Sequence, residues 1–437
     1  MTPAPALWGG HECTVNRIGD RWRDQTRLTG HEDRVSDLDG FAGLGLSALR
    51  YPVLWERTET SRGDWDWRWC DDRLARIRAL GMRPIVGLLH HGSGPAWTDL
   101  LDPGFAEGLA VHAARTAERY PWVTDWTPVN EPLTTARFST LYAHWHPHRT
   151  DEAAFWRALL NQIDATRLSM RAIRGVSPSA RLIQTEDFGA TYGTEPCAAQ
   201  TRFENDRRLM TWDLLCGRVG PGHPLFDRLV GFGLAERLAV VRADPCPPDV
   251  IGINHYVTSD RFLDHRLGRY PPASHGTNGE IAYADVEAVR AHRDLPAGWR
   301  HHLLALWERY GLTLAVTECH LASEPDEQMR WFEECWAVAH GLAAEGVPIE
   351  AVTAWSLLGA VDWDSLLTHD AGRYEPGVFD VASGLPQERP LAGRLRELSG
   401  RAEPRPFVPD GVGWWSREDR RCFHPEVEDP PGGSLAA

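Results

Sequence analysis

Two glutamates occupy short motifs whose residue types suit acid–base and nucleophilic chemistry. Asn130 and Glu131 end an apolar, β-prone segment, and Pro132 blocks simple continuation of that segment as a strand or a helix. Glu318 ends a second apolar segment of the same kind. Two carboxyl groups that face each other at about 5–5.5 Å can act as nucleophile and general acid/base at a sugar carbon. The two glutamates are candidates for such a pair, provided that the fold brings them together.

Eight apolar segments along the chain have the composition of β-strands that would position these residues. Several are nearly continuous apolar runs, which is typical of parallel strands that are buried on both faces. The predicted strands cover residues 6–10, 47–53, 83–90, 126–130, 181–185, 250–255, 313–318 and 351–357.

Amphipathic segments between these runs predict helices. They cover residues 34–44, 69–80, 105–120, 153–176, 299–310 and 326–345, and Gly81, Gly311 and Gly346 follow three of them as suitable stops. Strand–helix alternation indicates βαβ units and a parallel sheet. Eight units, with no GxGxxG motif after the first strand, predict an α/β fold, a single (β/α)8 TIM barrel, rather than a doubly wound sheet.

The sequence predicts one catalytic barrel, residues 1–400, followed by an irregular tail rich in Pro and Gly, residues 401–437. The segments 187–249 and 258–296 have the lengths of insertions, which on a barrel build the rim of the active site.

Composition excludes several function classes. All 46 basic residues are Arg, so a Schiff-base aldolase, a pyridoxal-phosphate enzyme and a P-loop NTPase, each of which needs a Lys, are excluded. A net charge of −15 argues against nucleic acid or an anionic membrane as a partner. With no apolar run of 18 residues and no visible secretory signal, we expect a cytoplasmic protein with eight reduced cysteines. No metal or cofactor is expected, and a homo-oligomeric state stays open.

Polar side chains collect at the carboxyl ends of the predicted strands, where TIM barrels place their active sites. Arg50 can hold a carboxylate in its ionised form, and Tyr256 can donate a hydrogen bond to it. Asn130 can bind a substrate hydroxyl, and Trp355 can supply an apolar platform for a sugar ring. The collected residues are Glu12, Arg50, His90, His91, Asn130, Glu131, Glu186, Asp187, Asn254, His255, Tyr256, Glu318, Trp355 and Asp362.

Several motifs resemble those of glycoside hydrolase family 1, the β-glucosidase-like family of clan A. Residues 126–132 resemble its W-x-x-x-N-E-P acid/base motif, and residues 316–318 resemble its nucleophile strand. Residues 249–256 resemble D-F-x-G-I-N-Y-Y, and residues 354–363 resemble A-W-S-L-L-D-N-F-E-W. Arg50 and His90 also resemble the Arg of the family's second strand and the His of its third strand. The matches run in order from residue 8 to about residue 380, over nearly the whole chain.

The resemblance implies a retaining β-glycosidase that hydrolyses a β-linked glycoside by double displacement. Glu131 would be the acid/base, with a raised pKa, and Glu318 the nucleophile, with an ordinary or lowered pKa. A small-molecule carbohydrate would be the partner. The implied substrate-binding residues are Asn16, Arg50, His90, Asn130, Asn254, Tyr256, Trp355, Asp362 and Trp363.

The sequence also departs from the family pattern, mainly where the family recognises its sugar. Cys319 and His320 follow the nucleophile in place of Asn-Gly, Asn16 stands where the family has a Gln, and Asp362 replaces a Glu. Similar chains occur fused to dehydrorhamnose reductase modules, which implies deoxysugar metabolism. Two alternatives therefore stay open: a transglycosidase or deoxysugar-processing enzyme on the same glutamate pair, and a non-hydrolytic sugar-binding barrel.

Overall fold

Eight parallel strands close into a barrel in the computed structural model, which describes residues 3–294, 298–403 and 411–426. Each strand pairs with its neighbours in sequence, and β1 pairs with β8. This arrangement confirms the predicted (β/α)8 TIM barrel. The strands are β1 Ala6–Gly10, β2 Ala48–Pro52, β3 Arg83–Gly87, β4 Asp125–Thr127, β5 Arg181–Asp187, β6 Val250–Asn254, β7 Thr313–Cys319 and β8 Ile349–Ala354.

The barrel interior is closed at its amino-terminal end by an ion network. Arg83 and Arg181 both contact Asp125 and Glu350, and the four residues come from four different strands. A layer of buried apolar side chains shares one cluster inside the barrel: Trp8, Ala48, Ile85, Ile183, Val250, Ala315 and Ala351. With this end sealed by paired charges and apolar packing, the carboxyl-terminal mouth is the end where polar groups are available to a ligand.

The helices lie between the strands, mostly within one residue of the predicted bounds. The exception is the first, which begins at Asp37 rather than 34, because Val35 and Ser36 form a turn. The helix Trp299–Tyr310 ends as predicted at Gly311, which has a positive φ of 66°. The main helices are Asp37–Gly43, Arg68–Ala79, Phe105–Arg119, Glu152–Val176, Trp299–Tyr310, Pro325–Ala344 and Pro390–Leu398.

Three predicted strands extend too far at the mouth. β3, β4 and β8 end three residues before their predicted ends. Beyond β3 and β4 a single bridge still joins His90 to Asn130, and the next residues, His91 and Glu131, adopt positive φ values of 57° and 46°. The chain therefore leaves the ladder at these points, because left-handed backbone cannot continue a strand. Such strained non-glycine residues often mark functional sites.

The two predicted insertions surround the mouth beside β5 and β6. The first carries the helices Ala198–Arg208, Met210–Leu215, Phe226–Gly231 and Ala235–Ala243. Both contribute to a four-stranded sheet, in the order Thr191–Gly193, Arg261–Asp264, Ala282–Glu287 and His275–Thr277. Shorter two-stranded pairs are Val15–Ile18 with Arg21–Asp24, Glu59–Ser61 with Asp64–Trp65, Ala360–Val361 with Tyr374–Glu375, and Phe379–Asp380 with Gln387–Glu388.

The described part of the carboxyl-terminal segment packs on the barrel. Trp415 is buried against Trp331 and donates a hydrogen bond to Glu334. Residues 404–410 and 427–437 lie outside the described residues, so the predicted division at residue 400 stays a prediction. Within the described ranges, the structure has no helix with the length and apolar character needed to cross a membrane.

Candidate active site

Glu318 lies near the end of β7 and is held by two donors. Nη1 of Arg50 donates to its Oε1 at 2.8 Å, and the hydroxyl of Tyr256 donates to its Oε2 at 2.5 Å. Arg50 comes from β2, and Tyr256 follows β6, which is paired with β7 at this level. The structure thus brings two predicted site residues, Arg50 and Tyr256, to the buried carboxyl group of a third, Glu318.

Glu131 lies just after β4, at the start of the short helix Pro132–Ala136. Nδ2 of Asn254 donates to its Oε1 at 2.6 Å, and Nε2 of His91 lies 3.6 Å from its Oε2. Its backbone is left-handed, which costs free energy in a non-glycine residue unless the surroundings hold it.

Glu186, at the end of β5, provides that support. Its carboxyl group accepts hydrogen bonds from the amides of Leu133 and Thr134 at 2.8 and 3.1 Å and from the hydroxyl of Thr211 at 2.6 Å. These bonds fix the first turn of the helix that begins after Glu131. Glu186 is therefore a positioning residue rather than an ordinary charge on the rim.

A hydrogen-bond network joins the two glutamates through their neighbours. Nη2 of Arg50 donates to Oδ1 of Asn130 at 2.6 Å, while Nη1 of the same guanidinium binds Glu318. Asn254 holds Glu131, and its own amide oxygen accepts from Thr317 Oγ1 at 2.6 Å. Each glutamate is thus tied to a residue adjacent in sequence to the other.

Burial raises the pKa of both glutamates, but their partners differ. For Glu131 the burial effect is reinforced by the charges of Glu318, Asp187 and Glu186, so its pKa lies well above the ordinary value. For Glu318 burial is opposed by Arg50 and by the Tyr256 hydroxyl, yet its pKa is still raised. The expectation of an ordinary or lowered pKa for Glu318 is therefore wrong, because burial of its carboxyl group outweighs both partners. Since only Glu318 has an arginine partner, it is the first of the two to ionise.

Trp355 forms the floor beside Arg50 and His90. The Arg50 guanidinium carbon lies 4.7 Å from the centroid of the indole, and the His90 ring stacks on it at 5.7 Å. Burial lowers the pKa of His90 well below its ordinary value, so the stacked ring is neutral. The added methyl of an alanine at Gly10 would lie 2.6 Å from the indole, so β1 needs glycine there.

The hairpin after β1 places Asn16 opposite Arg23 in register. The Asn16 side chain is buried, and neither its Oδ1 nor its Nδ2 has a hydrogen-bond partner among the described residues. Trp363 lies with its ring edge-on to His91 at 5.5 Å, and its indole N–H is also without a partner in the described ranges. These are the groups that a polar ligand would satisfy.

Asp362 has both carboxylate oxygens engaged within the protein. Nη2 of Arg23 donates to its Oδ2 at 2.5 Å, and the amides of Gly372 and Arg373 donate at 3.1 and 2.8 Å. These contacts brace the loop after β8. A direct role for this carboxylate in substrate binding stays a prediction.

Two further residues belong to the mouth but were not among the predicted binding residues. Glu12 is buried, lies 3.8 Å from Nε2 of His90, and burial raises its pKa to about 7. His91 contacts Glu131, and burial lowers its pKa to about 3, so its ring is neutral. Both residues follow the end of a predicted strand, and this position in the sequence indicates a place at the barrel mouth.

Among the described residues, His255, Asp260 and His302 are the group whose spacing would suit a metal ion, with donor atoms within 4.8 Å of one another. The three side chains already have hydrogen-bond partners within the protein. Nδ1 of His255 lies 2.8 Å from the carbonyl oxygen of Phe188, and Nε2 of His302 lies 3.0 Å from Asp260. The cluster therefore has a structural explanation. His302 and Asp260 form a buried pair, and His255 binds a backbone carbonyl beside them.

Comparison with solved structures relates this barrel to β-glucosidases. A β-glucosidase from Thermotoga maritima in complex with azafagomine has a TM-score of 0.70 at 16% identity, over 92% of this chain and 99% of that one. The family 1 enzyme of the same organism with isofagomine lactam gives 0.70 at 15%, over 91% and 98%. The AHE enzyme from Alicyclobacillus herbarius gives 0.69 at 19%, over 86% and 88%. No protein-family model and no curated protein matches the chain. At these identities the likeness shows a shared fold, the (β/α)8 barrel of family 1 β-glucosidases.

Proposed function

We propose that the protein is a retaining glycosidase that hydrolyses a β-linked glycoside. The observation that carries the proposal is the unequal environment of two buried glutamates at one barrel mouth. Glu318 is held by Arg50 and Tyr256, which favour its ionised form, while Glu131 has a strongly raised pKa. Unequal carboxyl environments of this kind assign nucleophile and general acid.

In the proposed reaction Glu318 attacks the anomeric carbon while Glu131 donates its proton to the departing oxygen. The glycosidic bond breaks, and a glycosyl ester forms on Glu318. The ionised Glu131 then takes a proton from a water molecule while the water oxygen attacks the anomeric carbon. The ester bond to Glu318 breaks, the sugar is released, and Glu318 is again ionised and Glu131 protonated. Asn254 stabilises the ionised form of Glu131 between the two steps.

The test uses an activated inhibitor and an acid/base variant. After incubation with a panel of 2-fluoro glycosides, mass spectrometry is expected to find one covalent sugar on Glu318. Glu131→Ala is expected to lose turnover of glycosides with poor leaving groups, to keep activated aryl glycosides, and to form a β-glycosyl azide with azide. Equal loss on both substrate types without an azide product would reject the assignment.

A deoxysugar as the glycone is favoured by one observation. Both oxygens of Asp362 are already bound by Arg23 and by two backbone amides. The resemblance gives this position to the acceptor of the far sugar hydroxyls, so an occupied acceptor fits a sugar that lacks one of them. Comparing aryl glucosides with aryl 6-deoxyglycosides tests this, and a preference for the glucoside would contradict it.

A further inference from the structure

A cavity of about 780 Å³ lies beside the barrel mouth. It is bounded by the hairpin after β1, by the segment after β2 and by residues 95–97 after β3. Its volume is in the range of ligand pockets, which measure about 300–1,000 Å³. None of the residues assigned above to the two catalytic roles lines it.

Two routes of contact connect the cavity with the catalytic glutamates. Arg23 lines the cavity and binds Asp362, whose neighbour Trp363 packs against His91. Glu56 lines it as well, and its Oε1 lies 2.1 Å from where a Cβ on Gly92 would be, so its carboxyl group touches the backbone next to His91. His91 contacts Glu131. Along the second route, Gly92 and His91 lie between Glu56 in the cavity wall and Glu131.

Carboxyl groups outnumber arginines along the cavity, which argues against an anionic ligand: Asp24, Glu32, Glu56, Glu59, Asp66 and Asp370 line it. Four arginines line it, and each has a carboxylate partner: Arg21 with Asp370, Arg23 with Asp362 and Asp370, Arg27 with Asp24, and Arg57 with Asp24 and Glu32. Paired guanidinium groups attract a further anion only weakly. Charged walls equally disfavour an apolar ligand.

Some polar groups of the cavity are left without partners. Both carboxyl oxygens of Glu56 are buried and make no hydrogen bond within the described ranges, and the same is true of Nε of Arg23. Burial raises the pKa of Glu56 to about 8, so near neutral pH this group can donate as well as accept. Buried polar groups are normally satisfied, so these three atoms point to a ligand with hydroxyl groups.

Two tryptophans supply apolar surface next to these polar groups. Trp22 is 39% exposed, and Trp97 is partly buried. Among the described residues, neither indole has a ring-stacking or cation–π partner. Indoles offer flat apolar surface against which the C–H face of a sugar can pack. Flat aromatic surface beside hydrogen-bond donors and acceptors suits a neutral sugar.

We propose that this cavity is a second carbohydrate subsite, which binds a neutral sugar residue joined to the one at the glutamate pair. The statement that the bound sugar belongs to the substrate rests on the proposed function. It makes the natural substrate a glycoside of at least two sugars.

The kinetic test compares matched p-nitrophenyl β-glycosides that carry one or two sugars: glucoside with cellobioside, glucoside with lactoside, and xyloside with xylobioside. For at least one pair, kcat/KM is expected to be 10-fold or more higher for the disaccharide, with the intact disaccharide released. Trp22→Ala should bring the pair within 2-fold by lowering only the disaccharide value. Phe232→Ala, which removes an aromatic side chain of 38% exposure from another part of the surface, should keep the preference. Equal kcat/KM within every pair would overturn the proposal.

Calorimetry separates this subsite from the catalytic proposal. Cellobiose, lactose and xylobiose are titrated into the full-length protein and into the Trp22→Ala and Glu56→Gln variants. Binding of at least one disaccharide that weakens 3-fold or more in both variants supports the subsite even if no aryl glycoside is turned over, in which case the proposed hydrolysis fails alone. Absence of binding for all three, or equal binding to the variants, would overturn the subsite.

Discussion

The amide nitrogen of Asn254 donates to Oε1 of Glu131 at 2.6 Å. The sequence placed Asn254 among the substrate-binding residues, and the structure shows that its donor group already serves the proposed acid/base. This bond favours the ionised form of Glu131 and so lowers a pKa that burial and neighbouring carboxylates raise. The relationship has a measurable consequence for the pH dependence of activity.

Asn254→Ala is expected to move the basic limb of the kcat/KM profile to higher pH. The general acid must be protonated, so activity falls as pH rises through the pKa of Glu131. Loss of the bond removes a contribution that lowers this pKa, which therefore rises. Asn161→Ala, which removes an amide outside the mouth, should leave the limb in place. A downward shift in the Asn254 variant would contradict the assignment of Glu131 as the acid.

Glu186→Gln is expected to move the same limb in the opposite direction. The charge of Glu186 raises the pKa of Glu131, so its removal lowers that pKa and activity is lost at lower pH. Because burial raises the pKa of Glu186 itself to about 7, this charge is present only at and above neutral pH, and the shift should appear there. Thermal unfolding provides the control: Glu186→Ala, which leaves two helix amides unpaired, should lower Tm more than Glu186→Gln. Identical pH profiles for the wild type and Glu186→Gln would count against electrostatic coupling.

Tyr256→Phe acts on the other glutamate. Its hydroxyl bond stabilises ionised Glu318, so removal raises the pKa of Glu318 and moves the acidic limb of kcat/KM to higher pH. A charge-assisted bond worth about 1.5 kcal/mol corresponds to a shift of about one pH unit. The basic limb, which reports on Glu131, should move much less. Tyr283→Phe, on the small rim sheet, is the matched control. Equal movement of both limbs would mean that the carboxyl groups are not separately assigned.

Local sequence pattern predicted the barrel, because a buried parallel strand consists of consecutive apolar residues. The assignment of Glu131 and Glu318 as a catalytic pair stays a prediction. The β6 segment and the end of β7 were placed by such runs, and Arg50 was correctly brought to Glu318. The surroundings of Asp362 could not be predicted in this way. Its partner Arg23 comes from a hairpin 339 residues earlier in the chain, and nothing local signals that contact. The ends of β3 and β4 were missed for a related reason, since positive φ at His91 and Glu131 is imposed by tertiary contacts rather than by residue type.

At the floor of the mouth, Gly10 allows Trp355 to lie against β1. A Cβ at Gly10 would meet two ring carbons at 2.6 and 2.9 Å and Cβ of Arg50 at 3.2 Å. Gly10→Ala must therefore displace the indole or the arginine that holds Glu318. Overpacking of a buried site costs about 1–3 kcal/mol, so Tm should fall by several degrees.

The effect of Gly10→Ala on activity should exceed its effect on folding, because Arg50 contacts both Trp355 and Glu318. We expect kcat/KM to fall by about 10- to 100-fold at a temperature where the variant stays folded, since small misplacements of catalytic groups are that costly. Gly87→Ala is the matched control in β3, where an added Cβ meets only a backbone oxygen at 3.9 Å. If Gly10→Ala loses stability but keeps wild-type kcat/KM, then Arg50 does not need this packing to hold Glu318, and the positioning role of the floor is wrong.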